Sequence, residues 1–501
     1  MNVIPIDPSH PLGFQREAQR LKRAPSPSTA KEFADFERKA LALGRKVADQ
    51  LIAFHLLKLH NDDKFLNRVA RTFRRNASQA YRGHGKATVT VRLPGGGSVE
   101  VKTPYQIIDR RNKPGRKRAP GKRGATGSGR YPVLAQLGIE EKASPRVRYL
   151  TAYQLVTGDS YRSSLEALRQ HGLDLDNKAL VRIGRQVARD FILHRDERLL
   201  ALAQCEQREE LPLAGRRVLV SMDGGRVKLR FNHTRGRRKK NGRRGFTTEW
   251  KEPKGFIIEC LDEHGKPDPK VLPFIDFTLL DADTMFAMLE RYLRALGVEL
   301  ATHVVVVADG AEWIWNRVKD MMEDVGVKKE NLTQLLDFYH AAQHLDEAVK
   351  ACTSMHAAHQ SELFEELRGY LRKSQRPYLL ARLRQLAKGR RAKPIKKVMA
   401  YFEARKDLLG YAKAREAKLP IGSGAIESAI RRVLNLRFKS SGTTWSAEHI
   451  GPLLHMRALV KTGRFDLAFT SLLAARTPLV PDGGDAIPCP YSGLNLSPKA
   501  A

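Results

Sequence analysis

Two aspartates stand where a sheet would hold a metal ligand: Asp223 in Ser-Met-Asp-Gly-Gly and Asp309 in Val-Ala-Asp-Gly-Ala, each just after an apolar run and followed by glycine. A strand end fixes such a carboxylate, and the glycine leaves room for backbone, ion and phosphate to approach closely. Carboxylate oxygens suit hard divalent cations such as magnesium or manganese. Two such ions, roughly 3.5 to 4 Å apart, can activate an attacking oxygen and stabilise a leaving one in an in-line phosphoryl displacement. Asp-Gly after a strand is also an ordinary turn, so either aspartate alone carries little.

The order of elements around the pair carries more. Val218–Val220, Val227–Phe231 and Phe256–Leu261 have strand character and, following one another, suit an antiparallel meander. Thr284–Leu296 has the apolar stripe of an amphipathic helix, and Val304–Ala308 is the short, wholly apolar run of a buried central strand. A helix near Trp313–Asp324, a strand at Leu332–Phe338, a mostly helical stretch from Ala341 to Leu419 and a last strong helix at Ala425–Leu436 complete the order. Three strands, helix, strand, helix, strand and a late helix is the order of a ribonuclease H-like domain, in which the first and fourth strands bear acids. The expected fold class is therefore α/β: a ribonuclease H-like catalytic domain with an all-helical insertion, plus a largely helical N-terminal DNA-binding region.

Upstream, Lys31–Arg82 carries helical spacing interrupted near Asn61-Asp62-Asp63 and ending at Gly83-His84-Gly85, a natural boundary. Ala87–Val101 reads as a hairpin turning at Pro94-Gly95-Gly96-Gly97. Ser160–Leu193 reads as two helices about His171-Gly172. The second, capped by Asp176 or Asn177, sets Leu180, Ile183, Val187 and Phe191 on one face and Lys178, Arg182, Arg185 and Arg189 on another. Such a helix could enter a major groove, or be a solvated surface. Domain boundaries are expected at 1–108 (helices and hairpin), 109–130 (basic linker), 131–210 (helix-turn-helix-like), 211–340 (catalytic core), 341–420 (helical insertion), 421–475 (final core helices) and 476–501 (disordered tail).

The 501 residues contain 89 Lys and Arg against 54 Asp and Glu, a formal +35, which calls for a polyanionic partner. No apolar run reaches the roughly 18 to 20 residues of a membrane span. Met1–Phe14 lacks a basic stretch leading into an apolar core, so a cytoplasmic, nucleoid-associated protein is expected. The four cysteines, Cys205, Cys260, Cys352 and Cys489, form no C-x-x-C pair and are expected to be reduced and structural. The run Arg235–Arg244, with Arg237, Arg238, Lys239 and Lys240, is dense enough in charge to track a phosphate backbone. His340 and His344 have the i, i+4 spacing of a metalloprotease pair, but Ala341 stands where that motif needs glutamate, which argues against zinc. Trp313 and Trp315 read as packing residues.

Three segments occurring together, Asp309-Gly310-Ala311-Glu312-Trp313-Ile314, Leu336-Asp337-Phe338-Tyr339-His340 and Gly422-Ser423-Gly424-Ala425-Ile426-Glu427-Ser428, give the chain a family resemblance. Over about Arg216–Lys461 it resembles bacterial DDE insertion-sequence transposases, closest to the Kra and Lre groups, which are distant relatives of Mutator-type transposases. The resemblance implies Asp223, Asp309 and Glu427 as catalytic, metal-holding acids, the last on a late helix after a helical insertion. It also implies an Asp-or-Cys-x-x-His element near the fifth strand, matched by Asp337 and His340, with His340 as an accessory residue. Some relatives carry N-terminal cysteine clusters, whereas here no cysteine precedes Cys205.

The implied function is cleavage at the ends of a mobile element followed by strand transfer, dependent on Mg2+ or Mn2+. The partners would be terminal-repeat DNA, target DNA and further copies of the chain in a homodimer or larger assembly. A nuclease or resolvase that cuts without joining would use the same acids, and a catalytically silent DNA-binding descendant would be expected to have lost one. Glu427 could instead form an ordinary i, i+4 helix ion pair with Arg431.

Overall fold

The computed structural model describes residues 12–109, 129–232, 245–353, 355–440 and 442–475. These fall into two compact units, one up to Asp190 together with the stretch from Leu467, the other from Phe191 to Asp466. Most of the expected linker, Arg237, Arg238, Lys239 and Lys240, and the expected C-terminal tail with Cys489 lie outside the described residues.

The first unit opens with α1 (Leu12–Lys22), α2 (Ala30–His60) and α3 (Asp63–Asn76). The break at Asn61-Asp62 arises because the Asp62 side chain accepts the Phe65 N–H at 3.0 Å and caps α3. Strands β1 (Tyr81–Arg92) and β2 (Ser98–Ile108) form an antiparallel hairpin. Its buried Val89, Val91, Val99 and Val101 pack with Ala53 and Leu56 of α2. The buried Asp49 closes the turn, accepting the Gly95 and Gly97 N–H groups at 2.7 Å each. Gly83-His84-Gly85 is not the boundary its composition suggests. It lies inside β1, where the register shifts between Gly83 and Lys86 and Gly85 takes the left-handed φ of 74° that glycine tolerates.

Strand β3 (Gly129–Arg130) adds to β2, and α4 (Pro132–Gln136), α5 (Pro145–Thr157), α6 (Tyr161–Gln170) and α7 (Asn177–Ala203) follow. Asp176 accepts the Ala179 N–H at 2.6 Å, and Leu180, Ile183, Val187 and Phe191 are buried. Lys178, Arg182 and Arg189 are exposed and Arg185 is half-buried. Arg182 forms an ion pair with Glu141, so part of the stripe is already neutralised.

The second unit contains β4 (Arg217–Gly224), β5 (Val227–Asn232), β6 (Phe246–Lys251), β7 (Lys254–Leu261), β8 (Phe274–Thr278), α8 (Ala282–Leu296), β9 (His303–Ala308), α9 (Glu312–Asp324) and β10 (Leu332–Leu336). Helices α10 (Phe338–Lys350), α11 (Ala357–Arg372), α12 (Arg376–Leu386), α13 (Ala392–Ala404) and α14 (Tyr411–Glu416) come next. The chain returns through α15 (Gly424–Ile430), α16 (Leu436–Phe438), β11 (Trp445–Ser446) and α17 (Ala447–Lys461), before α18 (Phe465–Ala474), which from Leu467 belongs to the first unit.

The architecture is mixed α/β. Five strands align in the order β10-β9-β4-β7-β8. Strand β9 runs parallel to β4 and β10, while β7 runs antiparallel to β4 and β8. Alternate residues serve opposite faces, as the period of two requires. Val218, Val220, Met222, Val304 and Val306 pack with α8 and α9, whereas Leu219, Val305 and Val307 pack with the helices of α10–α14. Burial on both faces is why Val304–Ala308 is apolar without interruption.

The expected meander needs correction. Val227–Phe231 is a strand, but it leaves the main sheet and pairs with β6 and β11 in a separate three-stranded sheet. The second and third strands of the main sheet are β7 and β8, and β8 shows no uniform apolar run because Asp276 interrupts it. The late helix is also not continuous: α15 passes into a π-turn at Arg431–Asn435. Cys205, Cys260 and Cys352 are buried free thiols, and burial pushes the Cys260 thiol up to about 11. Among the described residues no helix is long and apolar enough to cross a membrane.

Candidate active site

Asp223 is the penultimate residue of β4, opposite Gly255 of β7. Its Oδ1 accepts the Gly224 N–H at 2.6 Å. Asp309 follows the last residue of β9, and its Oδ1 accepts the Ala311 N–H at 3.0 Å. The neighbouring backbone is held from two sides. Trp315 Nε1 donates to Asp309 O at 2.6 Å, and the Arg405 guanidinium donates to Gly310 O at 2.6 and 3.2 Å. A Cβ at position 310 would lie 2.6 Å from Tyr401 Oη and 2.9 Å from Arg405 Nε, which explains the glycine. The space after Asp309 is thus occupied by the protein's own side chains.

Glu427 lies in the first turn of α15, whose start is fixed by Asp337. The wholly buried Asp337 N-caps α10, its Oδ1 accepting the Tyr339 and His340 N–H groups at 2.6 and 3.0 Å. Its Oδ2 accepts the Ser423 N–H at 2.7 Å and the Ser423 hydroxyl. Ser423 Oγ also lies 3.2 Å from Glu427 Oε1. Because the Asp337 N–H donates to Ala308 O at 2.7 Å, a continuous set of bonds links the residue before Asp309 to the helix bearing Glu427.

His340 Nδ1 stands 3.6 Å from Asp337 Oδ2 and 3.8 Å from Glu427 Oε1. Among the described residues, Asp337, His340 and Glu427 are the group whose ligand atoms all fall within 4.8 Å of one another. Asp223 and Asp309 are outside that tight group, yet their charges reach it. The Asp223 carboxyl is pushed up to about 6, first by burial and then by Asp309 and Glu427, against the Gly224 N–H and His340. Asp337 moves the other way, to about 2, because His340 and Ser423 outweigh its burial. His340 is pushed up to about 9, chiefly by Asp337, with Glu427 and Asp309 adding to it against the opposing effect of burial.

Donor chemistry separates these acids. A carboxylate offers about four lone-pair directions, and Asp337 has four donors on its two oxygens, so it serves as a structural cap. Among the described residues, Asp223 and Asp309 each use one oxygen for one backbone N–H, and Glu427 meets Ser423 and His340. Glu427 forms no ion pair with Arg431. A carboxyl driven toward neutrality by burial first and like-charged neighbours second fits a place where a cation would restore the charged form. Asp223, Asp309 and Glu427 are carboxylates, the donor type a hard divalent ion takes, while the ligand atoms drawn within 4.8 Å of one another are those of Asp337, His340 and Glu427. His340, raised chiefly by Asp337, brings a ring nitrogen within 4.8 Å of ligand oxygens of Asp337 and Glu427. His344 stacks on Tyr401, their ring centroids 4.0 Å apart, and pairs with Glu347 at 3.2 Å, away from any zinc-type arrangement with His340.

Trp315, Ser423, Tyr401 and Arg405 surround these acids. Trp313 and Trp315 do pack against the core, as their sequence context suggests, but Trp315 also anchors Asp309. The roles of Ser423, Tyr401 and Arg405 depend on partners 86 or more residues away and leave no local signal.

No known family's sequence profile matches the chain, and no curated protein matches it. Among solved structures, it is similar to the Drosophila P element transposase strand transfer complex, at 12% identity, covering 66% of this chain and 82% of that chain. The TM-score is 0.22, too low to establish a shared fold.

Proposed function

We propose that this chain is a DDE-type transposase that cleaves DNA at the ends of an insertion sequence and joins them to target DNA. The carrying observation is the placement of Asp223 and Asp309 at the ends of β4 and β9, with the bonds from Ala308 through Asp337 and Ser423 to Glu427 and His340 3.8 Å from Glu427. The strand order and directions of the five-stranded sheet support a ribonuclease H-like catalytic domain, interrupted by α10–α14 before the acid-bearing α15.

When bound to Asp223, Asp309 and Glu427, two Mg2+ or Mn2+ ions would lower the barrier for an oxygen to attack phosphorus and for another to leave. Water would first break a phosphodiester bond and free a 3′-hydroxyl. That hydroxyl would then attack a target phosphodiester, forming one P–O bond and breaking another. Trp315 and Arg405 hold the backbone at Asp309, Asp337 and Ser423 hold the start of α15, and His340 balances charge beside Glu427 as an accessory residue. Lys178, Arg182, Arg185 and Arg189 of α7, and Arg237, Arg238, Lys239 and Lys240, would neutralise phosphate, giving steep salt dependence. A homodimer or larger assembly would hold both ends.

The test is incubation of purified protein with labelled DNA from the flanks of its own gene, with Mg2+ or with EDTA. Joined products that vanish with EDTA are expected. Metal-dependent cleavage without joining would instead identify a nuclease or resolvase, and binding without either would identify a silent DNA-binding protein.

A further inference from the structure

The hairpin that leaves the main sheet carries an unusual outward face. Residues directly opposite in an antiparallel pair share a face. The register Lys228↔Trp250 and Arg230↔Thr248, with Phe246 two residues before Thr248, therefore puts these five on one side. On the other side Val227 and Leu229 of β5 are buried, while their partners Lys251 and Glu249 on the edge strand β6 are exposed. Trp250 is 55% exposed and Phe246 44%, large apolar rings that burial has not claimed. Each ring has a cation over it: Lys228 Nζ lies 6.0 Å from the Trp250 centroid and the Arg230 guanidinium 4.2 Å from that of Phe246. None of these five face residues is acidic.

We propose that this face binds an unpaired DNA strand, with bases stacking on Trp250 and Phe246 and phosphates meeting Lys228 and Arg230. The inference rests on the DNA reading above and deepens it. Exposed rings flanked by cations suit single strands, whose base faces are free, whereas a duplex presents groove edges and phosphates. Phe246 and Trp250 are four residues apart on one strand, about 13 Å at the rise of an extended chain, a span of a few nucleotides. Lys228 is five residues from Asp223, so the face begins within roughly 17 Å of that carboxylate. Self-pairing of the same face is disfavoured, because a two-fold contact would gather Lys228 and Arg230 from both copies without a carboxylate on the face.

The experiment measures binding of the full chain to a labelled blunt duplex and to the same duplex with a single-stranded overhang. Wild type is expected to prefer the overhang. Trp250→Ala and Phe246→Ala should each weaken overhang binding by about 5- to 100-fold, leave blunt-duplex binding within about twofold, and leave the melting temperature unchanged, while Trp250→Phe retains the preference. Equal overhang binding by wild type and Trp250→Ala would overturn the proposal, as would equal losses on both DNAs. A change in oligomeric state with DNA preference intact would identify a protein interface instead. Metal-dependent cleavage is scored separately. Preference without cleavage contradicts only the transposase reading, and cleavage without preference contradicts only this one.

Discussion

Asp309→Asn is expected to lower metal-dependent cleavage and joining on the order of 10^3-fold or more, the scale of losing one preorganised electrostatic group, or about 4 kcal/mol of transition-state stabilisation. Asparagine keeps the side-chain oxygen that accepts the Ala311 N–H, so the loop after β9 retains its shape. What disappears is one negative charge and one anionic ligand atom. DNA affinity measured without divalent metal should stay within about twofold or rise slightly, because removing an anion beside a polyanion does not weaken the complex. Glu427→Gln should behave alike. Normal joining by Asp309→Asn would remove Asp309 from the reacting centre.

Asp276→Asn is expected to be the most destabilising single change in the second unit. Asp276 is wholly buried in β8, and its carboxylate accepts from Arg195 at 2.9 Å, from the Tyr292 hydroxyl at 2.9 Å, from His455 Nδ1 at 3.1 Å and from the Phe277 N–H at 2.9 Å. Neutralising Asp276 removes the buried counter-charge of Arg195 and leaves it the half-exposed Asp196, 2.8 Å away; breaking such a buried pair costs about 3 to 5 kcal/mol. The loss should appear as a lower denaturant midpoint. Burial alone would raise this carboxyl, but His455 and Arg195 prevail and hold it well below the ordinary carboxylate range. A depressed folded pKa means that the network contributes fully above the unfolded value of about 3.9 and loses its contribution as pH falls further. Wild type should therefore lose stability progressively below about pH 4, and Asp276→Asn should lose less over that window. An unchanged midpoint at neutral pH would contradict the role assigned to the network.

The two strand-end aspartates were legible in the sequence because each terminates an apolar run, and Val304–Ala308 with the helices on either side followed from local periodicity. Strand partners were not legible. Val227–Phe231 has strand character wherever it pairs, and nothing within it says that its neighbours are β6 and β11 rather than β4. The third strand of the main sheet was hidden by Asp276, since a charge between Ile275 and Phe277 reads locally as exposure. Only Arg195, Tyr292 and His455, distant in sequence, make that burial tolerable. The same holds at the candidate site. The importance of Glu427 came from its resemblance to a motif, while the bonds from Ala308 through Asp337 and Ser423 that position it join three segments no window spans. The π-turn after α15 likewise follows from packing rather than from helical spacing.

Two overlapping groups of side chains could receive a divalent ion: Asp223 with Asp309 and Glu427, or Asp337 with His340 and Glu427. Mn2+ binding to the full chain, followed by its paramagnetic resonance, distinguishes them. The account predicts that Asp223→Asn and Asp309→Asn each weaken Mn2+ binding at least about tenfold, as expected when a direct ligand is lost, whereas His340→Ala leaves it nearly unchanged. Undiminished binding in both aspartate variants together with its loss in His340→Ala would contradict the account and move the ion to the Asp337 side.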